Sequence, residues 1–351
     1  MRSSVEPLPL DDGRLFLVRA GEDDLAIRDA EPVDRELLEL LAAGARSEDE
    51  LAAALPVDRA TLRDKLTALD RAGVLASEAG APLDPVDAER YARQLPYLAE
   101  LGDAHDLQRR LRAAHVVALG CGGLGTWTIA ALASAGVGRF TVVDDDAVEL
   151  SNLNRQILYR AADLGTAKAD ATAAWLAAFD ARIRVAAHRR RIDGPGALGA
   201  LLGDADLVLL AADQPPYEIA RWTSDACVAA GVPFVTGGQL PPVLKIGPLY
   251  VPGETGCFRC HEQALRGGDA AYDGYVARMR SAPARGATLG PTSGIVGAML
   301  AMELVHFLCG RAPAILGAAL IVDIRDLAVR REKIARDPAC PICKTRSTPS
   351  R

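Results

Sequence analysis

The stretch from His115 to Lys168 constrains this chain more than any other. His115–Leu119 (HVVAL) reads as a short buried strand that runs straight into Gly120, Gly122, Gly123 and Gly125, a tight turn. Leu124–Ala135 has apolar residues at helical spacing, and Arg139–Val143 reads as a second strand ending in three acids, Asp144–Asp146. A strand, glycine turn, helix and strand with a carboxylate about twenty residues past the turn suits a nucleotide. Backbone amides at the helix start face phosphate, and Asp144, with Asp146 beside it, takes a ribose hydroxyl. The glycine pattern alone fits NAD, FAD, S-adenosylmethionine and ATP equally.

The residues beyond the three acids narrow the choice. Asn152, Asn154, Arg155 and Gln156 come within twelve residues of Asp144, and Lys168 stands thirteen beyond Arg155. Helix-terminal amides largely neutralise a diphosphate. Two further cations beside the same loop point to a triphosphate whose charge is held while a bond to phosphorus breaks. Later, Asp206–Ala212 (DLVLLAA) reads as a buried strand that delivers Asp213 to its carboxyl end, where ligands sit in open parallel sheets. An acid there is costly to keep charged without a cation, and Mg²⁺ on the phosphates is the natural partner.

These segments, GCGGLG, DDDAVELSNLNRQ and Lys168, resemble the adenylating domain shared by ubiquitin-activating enzymes and the bacterial MoeB and ThiF proteins. The resemblance covers roughly Glu89 to the C-terminus. Within it, AERYARQ, LGCGGLG, the AAD ending at Asp213 and GPLYVPGETGCFRC are similar to MccB-type peptide adenylyltransferases. The resemblance implies an α/β fold, a Rossmann-like adenylating domain with a mostly parallel sheet, and ATP as the nucleotide. It places an aspartate at the point matching Asp213. It also implies that Arg93 reaches the γ-phosphate in the neighbouring subunit, which makes a homodimer obligatory for the chemistry.

Seven cysteines include two C-x-x-C pairs, Cys257/Cys260 and Cys340/Cys343, about eighty residues apart. Four thiolates satisfy zinc's tetrahedral preference and leave no open position, so the expected metal is structural. His261 is a possible but unneeded ligand. A redox dithiol would want one pair at a helix start in a thioredoxin-like unit, and none is recognised. Between the pairs, Arg266–Pro291, rich in Gly, Ala and charge, is expected to be a mobile crossover loop over the active site. Ubiquitin-activating relatives carry a thioester-forming cysteine in this part of the chain. Here the leftover thiols are Cys121, Cys227 and Cys309, and none suits a covalent acceptor, which favours adenylation followed by direct transfer.

The net charge of −6 is uneven: residues 1–85 carry 10 Lys and Arg against 19 Asp and Glu. Arg14–Arg19 and Leu25–Arg28 read as strands joined by a Gly21–Asp24 turn. Helices are expected over Asp34–Ala43, Ser47–Leu55 (opened by a Ser47/Glu50 capping box) and Asp58–Ala72, with Val74–Ala76 returning as a strand. This is a winged-helix-like α+β pattern, but a net −9 repels a phosphate backbone, which argues against nucleic acid as the partner. The remaining reading is a clamp for a substrate or leader peptide, added as a strand to a sheet edge. Ala79–Pro85 reads as the linker.

The expected domains are therefore 1–85, winged-helix-like and peptide-binding, and 86–351, adenylating with a C-terminal zinc knuckle. No apolar run spans a bilayer and the N-terminus lacks a secretion-signal core, so a cytoplasmic protein with no membrane partner is expected. The function expected is activation of a peptide carboxylate by ATP, with Arg155, Lys168, Arg93 and Asp213 handling charge. The alternatives are activation of a sulfur-carrier protein, a non-catalytic peptide-binding scaffold, and a dinucleotide-sensing DNA-binding regulator.

Overall fold

A computed structural model describes residues 1–2, 4–10, 14–20, 23–44, 46–76, 81–281 and 287–343. The chain divides into two compact units, Met1–Arg109 and Arg110–Arg351. In the first, β1 (Val5–Pro9), β2 (Leu15–Arg19) and β3 (Leu25–Ile27) form an antiparallel sheet in the order β1-β2-β3. β1 has no counterpart in the sequence reading, because Pro7 and Pro9 argue against a strand. An edge strand tolerates them, since a missing N–H on the outer side breaks no ladder bond.

Three helices come next: α1 (Pro32–Ala43), α2 (Glu48–Ala54) and α3 (Arg59–Arg71). α1 starts at a proline, whose fixed φ suits the first helical turn. The Ser47/Glu50 capping box forms as expected, and Asp58 caps α3 through the Ala60 and Thr61 amides. Leu15, Leu17, Leu37, Leu38, Leu51 and Leu62 are the buried centre of this unit. Val74–Ala76 is not a strand. The Val74 carbonyl accepts a bond from the Arg2 amide, 2.9 Å, and no ladder extends from it among the described residues. Residues 21–22 of the expected turn and 79–80 of the expected linker lie outside the described residues. Three short helices, α4 (Pro85–Arg90), α5 (Leu95–Ala99) and α6 (Ala104–Ala113), complete this part; the expected boundary is at 85/86, and the division between the units falls inside α6.

The second unit is built on an eight-stranded sheet. In chain order its elements are β4 (His115–Leu119), α7 (Gly123–Ala135), β5 (Arg139–Val143), α8 (Lys168–Phe179), β6 (Arg184–His188), α9 (Gly196–Leu202), β7 (Leu207–Leu210) and α10 (Glu218–Ala230). Then come β8 (Phe234–Leu240), β9 (Val243–Tyr250), α11 (Phe258–Gly268), α12 (Tyr272–Ser281), α13 (Gly290–Leu308), β10 (Ala318–Asp323) and β11 (Val329–Lys333). The strand order is β11-β10-β9-β8-β7-β4-β5-β6, parallel from β6 to β8 and antiparallel beyond. The parallel part is Rossmann-like, with its strand order reversing between β4 and β7.

Every residue of β4 and β7 is buried, which explains their unbroken apolar runs. One face of the sheet packs Val116, Ala118, Leu209 and Ile246 with Ile129, Leu300 and Leu304 of α7 and α13. The other packs Val117, Leu119, Leu210 and Phe234 with Ile219 and Cys227 of α10. α13 is long and apolar enough to cross a membrane by length and composition, but it packs against α7 within this core. Glu303, which interrupts it, is buried and accepts the Ile315 amide at 3.0 Å.

The expected mobile loop over Arg266–Pro291 is corrected by the structure. The end of α11, all of α12 and the start of α13 occupy most of it. Residues 282–286 lie outside the described residues. The Gly and Ala content read as loop is compatible with helix here because Arg266 binds Glu262 at 3.1 Å and Asp273 at 2.8 Å, tying α11 to α12.

Candidate active site

The glycine turn sits at the point where the strand order reverses. Gly120 has φ +99°, and a Cβ there would lie 2.6 Å from the Ala212 amide nitrogen. Gly125 faces the Gly120 carbonyl, where a Cβ would come within 2.1 Å. Those two positions admit only glycine, one for backbone conformation and both for close approach. The result presses the carboxyl ends of β4 and β7 together and starts α7 beside them.

Asp213 follows Ala212 directly and is exposed. Its carboxylate makes no hydrogen bond or ion pair among the described residues, so its oxygens are available to a cation. Asp144 directly follows β5 and is half-buried. Its oxygens accept the Cys121 amide at 2.7 Å and the Asp146 amide at 2.9 Å. Burial pushes its pKa up, against the pull of those two donors and of Lys168. Each oxygen keeps a lone pair for a further donor such as a hydroxyl.

Lys168 opens α8 and is buried, with its ammonium on Asp146 at 2.7 Å and its amide on the Asp146 carbonyl at 2.9 Å. Arg155 lies against the glycine turn: a Cβ on Gly123 would meet its Cγ and Cδ at 3.4 Å. Its Nη1 donates to the Ser151 carbonyl, 2.8 Å, and to Asn154 Oδ1, 3.0 Å. Asn152 is buried and uses Oδ1 to accept the Glu149 amide at 3.0 Å, so it shapes the turn ahead of Arg155. Gln156 is buried, its Oε1 has no partner among the described residues, and its side-chain amide nitrogen lies 3.9 Å from where a Cβ on Gly122 would stand. An orphaned acceptor beside an anion-binding turn fits a ligand that carries a donor. Asp144, Arg155, Gln156, Lys168 and Asp213 are thus gathered around Gly120–Gly125. Arg93 belongs to the first unit, exposed in the turn between α4 and α5.

Several residues that hold this arrangement carry no sequence signal. The Trp127 indole N–H donates to the Arg155 carbonyl at 3.0 Å, and α13 packs onto that side chain at Gly294 and Gly297. Tyr159 Oη donates to the Cys121 carbonyl, 2.8 Å, and pairs with Thr172, 3.0 Å, tying the turn to α8. Gln239 donates to Ser293 Oγ at 2.9 Å, and that oxygen lies 3.1 Å from the Cβ position of Gly123. An aromatic or amide side chain at these positions reads from sequence as core or loop, because its partner comes from a distant element.

The four paired cysteines converge. Sγ–Sγ distances are 3.9 Å (Cys257–Cys260), 3.6 Å (Cys257–Cys340) and 3.5 Å (Cys260–Cys343), and all four thiols are buried. Tetrahedral zinc with bonds of about 2.3 Å sets neighbouring sulfurs about 3.8 Å apart, so the cluster fits the ion. His261 is not in it; its Nδ1 pairs with Tyr250 Oη at 2.8 Å. The other three thiols, Cys121, Cys227 and Cys309, are buried, with pKa values pushed up by that burial to about 12, 12 and 11. A thiol that stays protonated makes a poor nucleophile.

Comparison with known proteins matches residues 91–342 to the ThiF family. The chain is 33% identical over 261 residues to the sulfur carrier protein adenylyltransferase of Thermus thermophilus, covering 73% of this chain and 91% of that one. It is 32% identical over 271 residues to the SAMP-activating enzyme E1 of Haloferax volcanii, covering 74% and 90%. Among solved structures, E. coli MccB bound to ATP shares the fold with a TM-score of 0.77 at 23% identity, over 98% of each chain. PaaA shares it with a TM-score of 0.74 at 23% identity, over 94% of this chain and 98% of that one. With a Rossmann-like sheet, a glycine turn at its switch point and relatives of this kind, the chain belongs to the ThiF family and is an ATP-using adenylyltransferase.

Proposed function

We propose that this adenylyltransferase activates the C-terminal carboxylate of a ribosomally made peptide, as in peptide natural-product biosynthesis, and that its N-terminal unit captures that peptide. The carboxylate oxygen attacks the α-phosphorus, the bond from that phosphorus to the bridging oxygen breaks, and pyrophosphate leaves. Glycine-turn amides hold phosphate and Asp144 holds the ribose. Arg155 and Lys168, now resting on Ser151, Asn154 and Asp146, carry the developing charge of the leaving group, with Arg93 from a second copy. A carboxylate is already nucleophilic at neutral pH, so alignment and charge neutralisation are the main requirements. Asp213 is the residue suited to hold Mg²⁺, which when bound neutralises phosphate charge. Cys257, Cys260, Cys340 and Cys343 hold a structural zinc.

The observation that carries the peptide reading is the N-terminal unit itself, most of which lies ahead of the family match at residue 91. Its sheet has one edge suited to strand addition. The Ala20 amide donates to the Ser4 carbonyl and the Leu10 amide to the Arg14 carbonyl, so Val5, Pro7 and Pro9 of β1 face outward. Two of those three have no N–H. At the other edge, the register Phe16↔Ala26 leaves the main chain of Ala26 facing outward with both groups free to pair. E. coli MccB, which shares the fold across 98% of this chain, has been solved with the peptide MccA.

A second reading, activation of a sulfur-carrier protein, is favoured by the sequence relatives, which include a sulfur carrier protein adenylyltransferase. Peptide-dependent ATP–pyrophosphate exchange tests the two. Deleting residues 1–85 abolishes exchange if a peptide is the substrate and spares it if a carrier protein is. Asp213→Ala is expected to abolish pyrophosphate release while peptide binding persists; normal turnover would overturn the assignment of the metal ligand.

A further inference from the structure

Lys245 stands in β9, in the interior of the sheet, and is a half-buried cation that the proposed chemistry leaves unused. Its ammonium has no hydrogen bond or ion pair among the described residues. Burial lowers its pKa, and the carboxylate whose field reaches it, Glu332, is already engaged by Arg330. The neighbours Leu244 and Ile246 point into the core beneath α13, so Lys245 faces the other way. Across the ladder it pairs with Gly238 on one side and Ile321 on the other. A Cβ on Gly238 would meet nothing within 4 Å. A desolvated amine therefore borders open space on the α10 face of the sheet.

Its height in the sheet matters. Leu210, the end of β7, pairs with Thr236, and Gly238 lies two residues further along β8. Gly238 and Lys245 are thus level with Ala212, one residue before Asp213. Two strand spacings separate β9 from β7, about 10 Å. That distance is about three residues of extended chain at roughly 3.3 Å each.

We infer that Lys245 and the space over Gly238 form a specificity subsite for an acidic side chain near the carboxyl terminus of the substrate, centred on the third residue from the end. The inference rests on the peptide reading above. A peptide crossing the edge formed by the amino end of β9 and the carboxyl ends of β8 and β7, with its terminal carboxylate beside Asp213 after β7, sets that residue over Lys245. A neutral side chain there leaves the ammonium unpaired, and a basic one adds repulsion to the desolvation already suffered.

The test is peptide-dependent ATP–pyrophosphate exchange by the full-length enzyme with short synthetic peptides carrying Glu, Gln or Lys at each of the second to fourth positions from the carboxyl end. The expected order of kcat/KM is Glu over Gln over Lys at one of these positions, with about a tenfold step between the first two, the scale of one charge-assisted bond. Lys245→Glu is expected to reverse the order and Lys245→Ala to flatten it, thermal melts reporting whether each variant folds. Equal kcat/KM across the wild-type series, or an unchanged order in Lys245→Glu, overturns the subsite and leaves the peptide reading standing. Failure of every peptide to support exchange overturns both.

Discussion

A methyl group on Gly120 would sit 2.6 Å from the Ala212 amide nitrogen, and that single contact fixes how closely β4 and β7 approach. The side chains around the turn then depend on residues one step removed. Trp127 is the clearest case, because its N–H holds the Arg155 carbonyl while its ring is packed beneath α13. Trp127→Phe keeps most of the ring volume and loses the donor. It is expected to raise KM for ATP about threefold to tenfold, the scale of one neutral hydrogen bond, with little change in thermal midpoint. Far from the site, burial would raise the Asp180 pKa, but Arg182 and Arg112 at 3.1 Å outweigh it and hold the carboxyl far below its ordinary range. A carboxylate whose folded pKa is depressed contributes stability above its unfolded pKa and loses it as pH falls through the folded value. Stability should therefore decline below about pH 4, and Asp180→Asn, costing roughly 1.5–3 kcal/mol at neutral pH, should flatten that acid limb in denaturant titrations.

The elements divide into those that local sequence can specify and those that need a partner. Helix α3 is announced by Asp58 and closed near Gly73, and β4 and β5 by their apolar runs; each matches the expected range to within a residue or two. β1 escapes a sequence reading because its prolines are acceptable only at an edge, and no sequence says which strand is at an edge. The segment between Arg266 and Pro291 reads wrongly as loop because its helices are held by the Arg266 guanidinium, which pairs with Glu262 within α11 and with Asp273 of α12. The four-cysteine cluster joins two elements about eighty residues apart and brings the segment after β11 against the start of α11. Cys340→Ser is expected to lower zinc content by metal analysis and to lower the thermal midpoint by many degrees, before any change in affinity for ATP is seen. Retention of one zinc per chain with an unchanged melt would refute the tetrahedral site.

At the level of the whole molecule, Arg93, proposed to act on the triphosphate, lies in one compact unit, and the residues proposed to hold the nucleotide lie in the other. If Arg93 serves the site of a second copy, two inactive variants repair each other. Mixed and re-annealed Arg93→Ala and Asp213→Ala chains should recover about a quarter of wild-type exchange, since each mixed dimer rebuilds one site and ruins the other. No recovery, with mixed dimers verified by mass, would place Arg93 in its own chain's site or outside the chemistry.

The sequence alone determined the Rossmann-like frame, the glycine turn, the acids after β5, the cations at 155 and 168, and the paired cysteines. Each of these is written in residues close together in the chain, as an apolar run, a required glycine or a ligand spacing. Tertiary structure alone decided that β1 is a proline-bearing edge, that Trp127 holds Arg155, that the Gln156 acceptor is unmatched among the described residues, and that Lys245 borders open space over Gly238. Those facts depend on which distant surfaces meet, and packing between elements is not encoded in any local pattern.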